Sequence, residues 1–311
     1  MSEERFTVGA GAGRLDKFLA DKLSDVSRAH CRALVEKGRV TVDGRVKNPA
    51  YKLRGGEVVS VRIGDADWVL PAFDKWILHE DKDILVLHKP SGIVCHPVGE
   101  SWLKRPEAVL DDKEATLAGI LWHERPEVRT SGVERCGLIH RLDRQTSGVL
   151  VTAKRPKAQK ALLKGFRERS VKKVYRAIVV GRLSETKVDA PIGRLPGRRK
   201  VQVSPWGKDA KTEFKTVEFA KGMSLVEARP KTGRTHQIRA HLALLGHPVV
   251  GDHEWFKDEE NAALKRLGHQ PPSRMMLHAY RLRFTHPTSE KTVSYTGALP
   301  ADFKNYWKSF K

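Results

Sequence analysis

The 311-residue chain has few cysteines and no long apolar run. Cys31, Cys95 and Cys136 are an odd number without a Cys-x-x-Cys spacing, so we expect neither a disulfide framework nor a zinc ribbon. All three are interpreted as structural residues in a protein of the reducing cytoplasm. No apolar stretch approaches the roughly 18 residues of a membrane-spanning helix, and the polar start MSEER is unlike a signal peptide.

Acidic residues are also in short supply. The chain contains 37 Asp and Glu against 58 Lys and Arg, which gives a net charge of +21. An excess of this size indicates a polyanionic partner, and without a membrane anchor we favour a nucleic acid. The sequence shows no P-loop, no dinucleotide glycine pattern and no His/Cys cluster with metal spacing. We therefore expect no cofactor and no metal.

Residues 14–63 have the pattern of a small helix–helix–hairpin domain. Apolar residues recur at helical spacing over 15–23, and a second helix is expected between Ser27 as its N-cap and Gly38. The pair Asp43-Gly44 predicts a tight hairpin turn, and a last strand follows over 57–63.

This small domain has 12 Lys and Arg against 6 Asp and Glu. The excess either forms a solvated basic face or contacts phosphates, and phosphate contacts of this kind bind without reading the base sequence. The candidate phosphate-binding residues are Arg28, Arg32, Arg39, Arg45 and Lys47.

The rest of the chain predicts a second, larger domain. Residues 64–78 contain Gly64, Asp65, Asp67, Pro71 and Asp74, and this composition suggests a linker over 66–78 between a domain over 1–65 and another over 79–311. Predicted strands cluster without regular alternation with helices, which favours an α+β fold with a largely antiparallel sheet. We expect strands over 83–88, 149–153, 174–180, 214–219 and 223–228, helices from Pro156 and over 235–245, and a basic hairpin over 193–209.

One motif carries a specific chemistry. Residues 137–148 (GLIHRLDRQTSG) place Asp143 between Arg141 and Arg144 on a short loop before an apolar strand. Guanidinium groups hold a carboxylate ionised and oriented, as a nucleophilic Asp requires, although a surface salt bridge has the same local pattern.

This run resembles the catalytic loop of the RluA family of RNA pseudouridine synthases. Four more segments resemble that family in the same order along the chain, so a chance match is excluded. They are residues 89–97 (KPSGIVCHP), 171–179 (VKKVYRAIV), 232–242 (TGRTHQIRAHL) and 277–287 (LHAYRLRFTHP).

The resemblance implies that the protein isomerises uridine to pseudouridine on a bent sheet flanked by helices. It assigns Asp143 as the nucleophile, acting on the ribose at C1′ or through a glycal, and Arg239 as its partner. Tyr175 is implied to stack on the target uracil, while Arg141 supports a nucleotide extruded from its helix. His140 is expected to shape the loop, and Ile238 to form an apolar wall under the base.

Residues 14–19 (RLDKFL) and 38–44 (GRVTVDG) resemble the alpha-L RNA-binding domain, the fold of a small-subunit ribosomal protein. With the charge excess, this favours structured RNA as the partner, large-subunit ribosomal RNA before tRNA, with no DNA and a monomer by default. The alternatives are a tRNA-directed synthase, a non-catalytic ribosome-assembly factor and a nucleoside-processing glycosidase. The charged segment 99–135 is a further candidate for RNA contact.

Overall fold

The chain divides into two compact units in this computed structural model. The first contains Met1–Lys75, Ile93–Leu138 and Lys154–Pro156, and the second contains Trp76–Gly92, Ile139–Ala153 and Lys157–Lys311. The structure describes residues 2–23, 28–63, 72–111, 114–194, 200–256 and 258–311.

The domain limits 1–65 and 79–311 stay predictions. Most of the expected linker and the expected N-cap Ser27 lie outside the described residues. None of the helices within the described ranges has the length and apolar character needed to cross a membrane.

The first unit begins with a small antiparallel sheet and two helices, as the sequence predicts. Helices α1 and α2 span Leu15–Lys22 and Arg28–Glu36. The strands are β1 (Ser2–Thr7), β2 (Val40–Val42), β3 (Arg45–Val46) and β4 (Val58–Ile63), in the order β1-β4-β2-β3.

The β2–β3 hairpin turns at Asp43 and Gly44, whose φ angles of 48° and 75° are those of the tight hairpin turn that this pair favours. Strand β1 was not predicted, because its only large apolar side chain is Phe6. Pairing with β4 along its full length places this strand in the sheet. Buried residues of both helices and of β2 and β4 form the core of this part of the unit.

The second stretch of the first unit, Ile93–Leu138, is an insertion that packs on the N-terminal sheet and helices. It contains α3 (Ser101–Lys104), α4 (Leu117–Glu124), α5 (Pro126–Thr130) and 3-10 turns over Pro106–Asp111 and Glu134–Gly137.

A buried ion pair, a partly exposed ion pair and a hydrogen bond to the backbone join this insertion to the N-terminal residues. Arg39 is 4% exposed and its Nη1 lies 3.4 Å from Oδ1 of the fully buried Asp111. Lys37 donates to the Asp111 carbonyl at 2.9 Å, and Arg105 lies 2.6 Å from Glu4. Much of the segment 99–135 is therefore structurally part of the N-terminal unit.

The second unit is built on a nine-stranded sheet, which confirms the predicted α+β class. Its main path runs β5-β6-β7-β14-β8-β13-β12-β9, and β15 pairs with β14. Every pair is antiparallel except β7 with β14. The strands are β5 (Ile77–Glu80), β6 (Ile84–Lys89), β7 (Ser147–Ala153), β8 (Lys172–Val180), β9 (Thr186–Asp189), β12 (Lys211–Ala220), β13 (Met223–Pro230), β14 (Leu277–Thr285) and β15 (Thr292–Thr296).

A separate hairpin of β10 (Ile192–Arg194) and β11 (Val201–Val203) stands where the basic hairpin was expected. Its tip, residues 195–199, lies outside the described residues. The helices of this unit are α6 (Pro156–Arg167), α7 (Gln237–Leu244), α8 (Asp258–Arg266) and α9 (Ala301–Lys308).

The strand register assigns the side chains of the large sheet to two faces. Tyr175 lies opposite Ala228 and Ala279, and its face packs against Ile238 of α7. Alternate residues of the same strands, such as Ile178, point the other way and pack against α9. We call these the α7 face and the α9 face. Helix α6 also packs on the α7 face, against Leu282, Phe284 and neighbouring strands.

Candidate active site

The loop that carries Asp143 is held by backbone contacts from the residues after β6. Gly92 N–H donates to the Arg144 carbonyl at 2.8 Å. The fully buried Lys89 donates to the carbonyls of Pro90 (2.8 Å) and Arg144 (3.3 Å). The Ser91 hydroxyl donates to the Gln145 carbonyl at 2.8 Å. The KPSG segment therefore fixes the path of the loop.

A glycine is required where this loop enters β7. Gly148 has φ of +120°, and a Cβ there would lie 2.2 Å from the carbonyl oxygen of Ala279 on β14. No other residue fits at that distance, so the strand that follows the loop packs directly on its neighbour.

Asp143 meets Arg239 of α7. The Asp143 Oδ2 accepts a hydrogen bond from Arg239 Nη1 at 3.2 Å, and the carboxylate remains 24% exposed. The sequence prediction that these two residues pair is matched by this geometry. The carboxylate is thus held by a permanent cation at Oδ2 and remains partly accessible to solvent.

Arg239 is itself fixed by a second acid. Its Nε and Nη2 donate to the two oxygens of the buried Asp252 at 2.6 and 2.7 Å, a bidentate pair. Its guanidinium carbon lies 4.7 Å from the centre of the Trp255 ring. Burial disfavours its charge, but the hydrogen bonds and charge of Asp252 raise the pKa of Arg239 overall. Arg239 is thereby held charged and in one orientation.

His236 lies on the other side of the Asp143 carboxylate. Its Nε2 is 3.8 Å from Asp143 Oδ1, and its Nδ1 is 3.3 Å from Glu254 Oε2. The residue adopts a left-handed backbone conformation, with φ of 54°, directly before α7. That turn delays the helix, which begins at Gln237 rather than at the predicted Thr235.

Gln237 stabilises the unusual start of α7. Its Oε1 accepts hydrogen bonds from the Thr232 hydroxyl (2.6 Å) and from the Arg234 N–H (3.0 Å). Its Nε2 donates to the carbonyl of Lys211 and the hydroxyl of Thr212 on β12. The helix that presents Arg239 is therefore anchored to the sheet through one buried amide.

Tyr175 and Ile238 lie in one hydrophobic cluster on the α7 face. Ile238 is 6% exposed and Tyr175 is half-buried, packed against that cluster from β8. An aromatic ring and an aliphatic wall therefore occupy the same face of the sheet. That arrangement suits an apolar floor for a planar base.

His140 is a structural part of the loop. Its Nε2 accepts a hydrogen bond from Val151 N–H at 3.2 Å, and its ring stacks on Phe166 at 4.6 Å. Burial, with a smaller contribution from Lys173, lowers the pKa of His140 to about 3. The neutral imidazole thus accepts a hydrogen bond from β7, and its role in shaping the loop stays a prediction.

Arg141 is exposed beside the helix start. Its Nη2 donates to the Thr235 hydroxyl at 3.1 Å, so the side chain lies along the segment that precedes α7. A guanidinium in this place is accessible to a nucleotide on the Asp143 loop.

The five basic candidates of the N-terminal domain have different environments. Arg28 and Arg32 are more than half exposed, and they pair with Asp16 and Glu36 respectively. Of the other three candidates, Arg45 is exposed, Lys47 is half-buried over the Tyr51 ring, and Arg39 is buried against Asp111. Arg39 was expected on the RNA-facing surface. In the structure it is instead a buried ion-pair partner with no exposed charge to offer a phosphate.

Sequence reasoning missed Asp252, Glu254 and Trp255. They follow the apolar pair Val249-Val250 and Gly251, where a Cβ would meet the Arg274 carbonyl oxygen at 2.3 Å. Two acids and an aromatic residue directly after a buried, glycine-closed turn are a usable signal of a site. Only the fold shows that they surround Arg239.

Two regions of the chain match known families. Residues 83–244 match the RNA pseudouridylate synthase family, and residues 13–59 match the S4 domain. The first match contains Asp143, Tyr175 and Arg239, and the second contains the helix–helix–hairpin part of the first unit.

Two relatives that align with nearly the whole chain share one name. The chain is 37% identical to the ribosomal large subunit pseudouridine synthase D of Neisseria meningitidis serogroup A, over 93% of this chain and 76% of that protein. It is 34% identical to the protein of that name from Vibrio vulnificus, over 93% of this chain and 88% of that protein.

A solved structure has the same fold. Human RNA pseudouridylate synthase domain containing 4 superposes with a TM-score of 0.59 at 27% identity, covering 77% of this chain and 94% of that one. The motifs, the geometry around Asp143 and these similarities agree. The chain belongs to the RNA pseudouridylate synthase family, with an S4 domain at its N-terminal end.

Proposed function

We propose that this protein converts uridine to pseudouridine in large-subunit ribosomal RNA, with Asp143 as the nucleophile. The observation that carries the proposal is the contact of Asp143 with Arg239, whose guanidinium is locked by Asp252. An oriented, accessible carboxylate beside a fixed cation is what attack on a sugar carbon needs.

The reaction exchanges one bond for another without oxidation or hydrolysis. Asp143 acts on the ribose, at C1′ or through a glycal, and the bond between N1 of uracil and C1′ breaks with its electron pair going to N1. The base then turns and C5 bonds to C1′. In the direct route the bond between Asp143 and C1′ breaks at this step. In the glycal route Asp143 gives back the ribose proton that it took. Loss of the C5 proton and protonation of N1 complete an isomer of the starting uridine.

The remaining site residues are assigned to the nucleotide. Tyr175 stacks on the uracil from β8 and places its hydroxyl for transfer of the C5 proton, while Ile238 supports the base beside it. Arg141 holds the backbone of the extruded nucleotide, which offsets part of the few kcal/mol that base extraction costs. The half-buried ring of Tyr175 and the exposed guanidinium of Arg141 support these assignments.

Ribosomal RNA is favoured over tRNA by two independent features. Relatives that share about a third of their residues with nearly the whole chain are named ribosomal large subunit pseudouridine synthases. The S4 domain and the net charge of +21 supply a second, sequence-independent grip on a structured RNA. Cytoplasmic location and a monomeric state stay predictions from the sequence.

The decisive experiment maps pseudouridines in cells that carry or lack this protein, by carbodiimide-stop sequencing of both ribosomal RNA and tRNA. We expect a ribosomal site to disappear in the deletion strain and to return with the wild-type gene. It should not return with Asp143→Asn, because the amide is not a nucleophile, whereas Asp189→Asn, a change to an exposed carboxylate at the sheet edge, should restore it.

Purified protein separates chemistry from binding. Asp143→Asn should abolish isomerisation and leave RNA affinity within a few fold. Turnover in that variant contradicts the nucleophile assignment. A missing tRNA site instead of a ribosomal one would assign the tRNA-directed alternative, and unchanged RNA in the deletion strain would favour the non-catalytic assembly factor.

A further inference from the structure

A basic groove lies beside the start of β8 and the end of β14, and most of its lining residues belong to the α9 face of the sheet. It has a volume of about 790 Å³ and is lined by twelve residues from β8, β13, β14, β15, the turn before β8 and the residue after β13. Seven of these are Lys or Arg and none is Asp or Glu. A concave surface with this lining concentrates positive potential where no part of the proposed chemistry uses it.

The strand register explains how the cations gather there. Arg281 and Arg283 alternate along β14, and they lie opposite Val174 and Lys172 of β8. Residues two apart on a strand point to the same face, so both arginines stand side by side above Val174. The register shift between Ala279 and Arg281 puts them on the α9 face, whereas Ala279 lies opposite Tyr175. One bulge therefore aims these arginines away from Tyr175.

These central cations are not neutralised by the protein. Arg281 and Arg283 are exposed, and among the described residues neither lies within ion-pair distance of a carboxylate. Lys172 contacts the Arg169 carbonyl rather than an acid. Each side chain therefore keeps its full charge available to a ligand.

Acidic residues pair with the lining residues along one border of the groove, at the end of β13. Arg229 pairs with the buried Glu227, and Lys231 pairs with Glu213 at 2.8 Å. Those pairs hold the β13 side in place, so the uncompensated charge lies along β14 and the start of β8. The opposite border carries the exposed hydroxyls of Thr292 and Ser294, which suit phosphate oxygens.

We infer that this groove binds the phosphate backbone of an RNA segment separate from the one that carries the target uridine. The inference rests on the proposed function, since the occupant is a second part of the same RNA. Charge complementarity selects a polyanion, and none of the twelve described lining residues is aromatic, so they offer no stacking platform for bases. Contacts here are to phosphates and carry no sequence information.

The two faces of the sheet give this groove a distinct role. A stem-loop placed over Asp143 and Tyr175 lies on the α7 face, whereas Arg281 and Arg283 point to the α9 face. A folded ribosomal RNA supplies a second helix nearby. The groove therefore adds affinity for long structured RNA and leaves the isomerisation step itself unchanged.

The test compares two double variants with the same loss of charge. Arg281→Gln with Arg283→Gln removes the central cations of the groove. Lys304→Gln with Lys308→Gln removes two exposed cations of α9, on the same side of the sheet but outside the groove lining. Each is measured for binding to a large-subunit ribosomal RNA transcript over a salt series, and for turnover of a short stem-loop that carries the mapped uridine.

The groove variant should lower the slope of log affinity against log salt by about 1.4 to 1.8, which corresponds to two lost phosphate contacts. The α9 variant should change it little, and both should modify the stem-loop at the wild-type rate. A groove variant whose slope equals that of the α9 variant overturns the inference. Wild-type protein that modifies no uridine instead refutes the proposed function, so the two failures are distinguishable.

Discussion

Replacing Asp252 with Asn tests whether the orientation of Arg239 sets the rate. Asp252 is fully buried and makes two short hydrogen bonds to the Arg239 guanidinium. Charges about 4 Å apart attract by about 4 kcal/mol at an effective dielectric constant near 20. Removing one partner of a buried pair costs about 3–5 kcal/mol, because the other charge stays buried. The amide keeps one acceptor oxygen, so we expect a loss of about 3 kcal/mol in the free energy of unfolding.

Asp252→Asn should lower the rate of isomerisation by more than its loss of stability explains. The amide NH₂ that this substitution introduces would face a guanidinium N–H, so Arg239 has to move, and a displacement near 1 Å of a group that positions the reactants costs about a hundredfold in rate. We expect a single-turnover rate about a hundredfold lower at saturating RNA, measured as tritium released from uridine labelled at C5. RNA affinity should remain within a few fold.

Glu227→Gln is the matched control. Glu227 is also buried and pairs with two arginines, Arg176 and Arg229, but it lies on the α9 face of the sheet. It should lose comparable stability and keep the wild-type single-turnover rate. A folded Asp252→Asn protein with an undiminished rate would refute the reasoning that Arg239 must be held in place.

Three further outcomes are expected. Arg32→Gln with Arg45→Gln should weaken RNA binding and lower its salt slope by about one to two without changing turnover at saturating RNA; an unchanged slope would remove the S4 domain from phosphate contact. Lys89→Met should slow turnover and speed amide exchange in the 139–146 loop, since two carbonyls lose their buried donor; exchange rates equal to wild type would contradict this. The neutral His140 contributes stability that is complete above pH 6.5 and is lost as the pH falls toward its folded pKa of about 3, so in denaturant titrations His140→Gln should lose less stability than wild type over that window.

Local patterns predicted most of the elements because their signals are contained in short stretches of chain. The helix predicted from Pro156 has its proline in the first turn and an apolar stripe, and it spans Pro156–Arg167. The Asp43-Gly44 turn and the strands around it follow from backbone preferences alone. Asp143 and Arg239, 96 positions apart, were paired by resemblance to a family, and the fold brings them within 3.2 Å.

The prediction and the structure differ where a contact with a residue outside the local sequence determines the conformation or the burial of a residue. Thr235 has the composition of a helix start, but Gln237 binds Thr232 and the backbone of β12, and this holds His236 in a left-handed turn that begins the helix two residues later. Arg39 reads as one more surface cation, but its partner Asp111 is 72 positions away. Neither interaction leaves a trace in the local sequence.

The buried pair of Arg39 with Asp111 has a practical consequence for dissecting this protein. Cutting the chain after residue 65 strips a carboxylate in the remaining fragment of its cation and uncovers the surface on which the 99–135 insertion rests. A shortened enzyme made that way would fail through misfolding and would be misread as loss of RNA affinity. Point changes at exposed arginines, or a graft that transfers the insertion together with the N-terminal domain, keep the two causes apart.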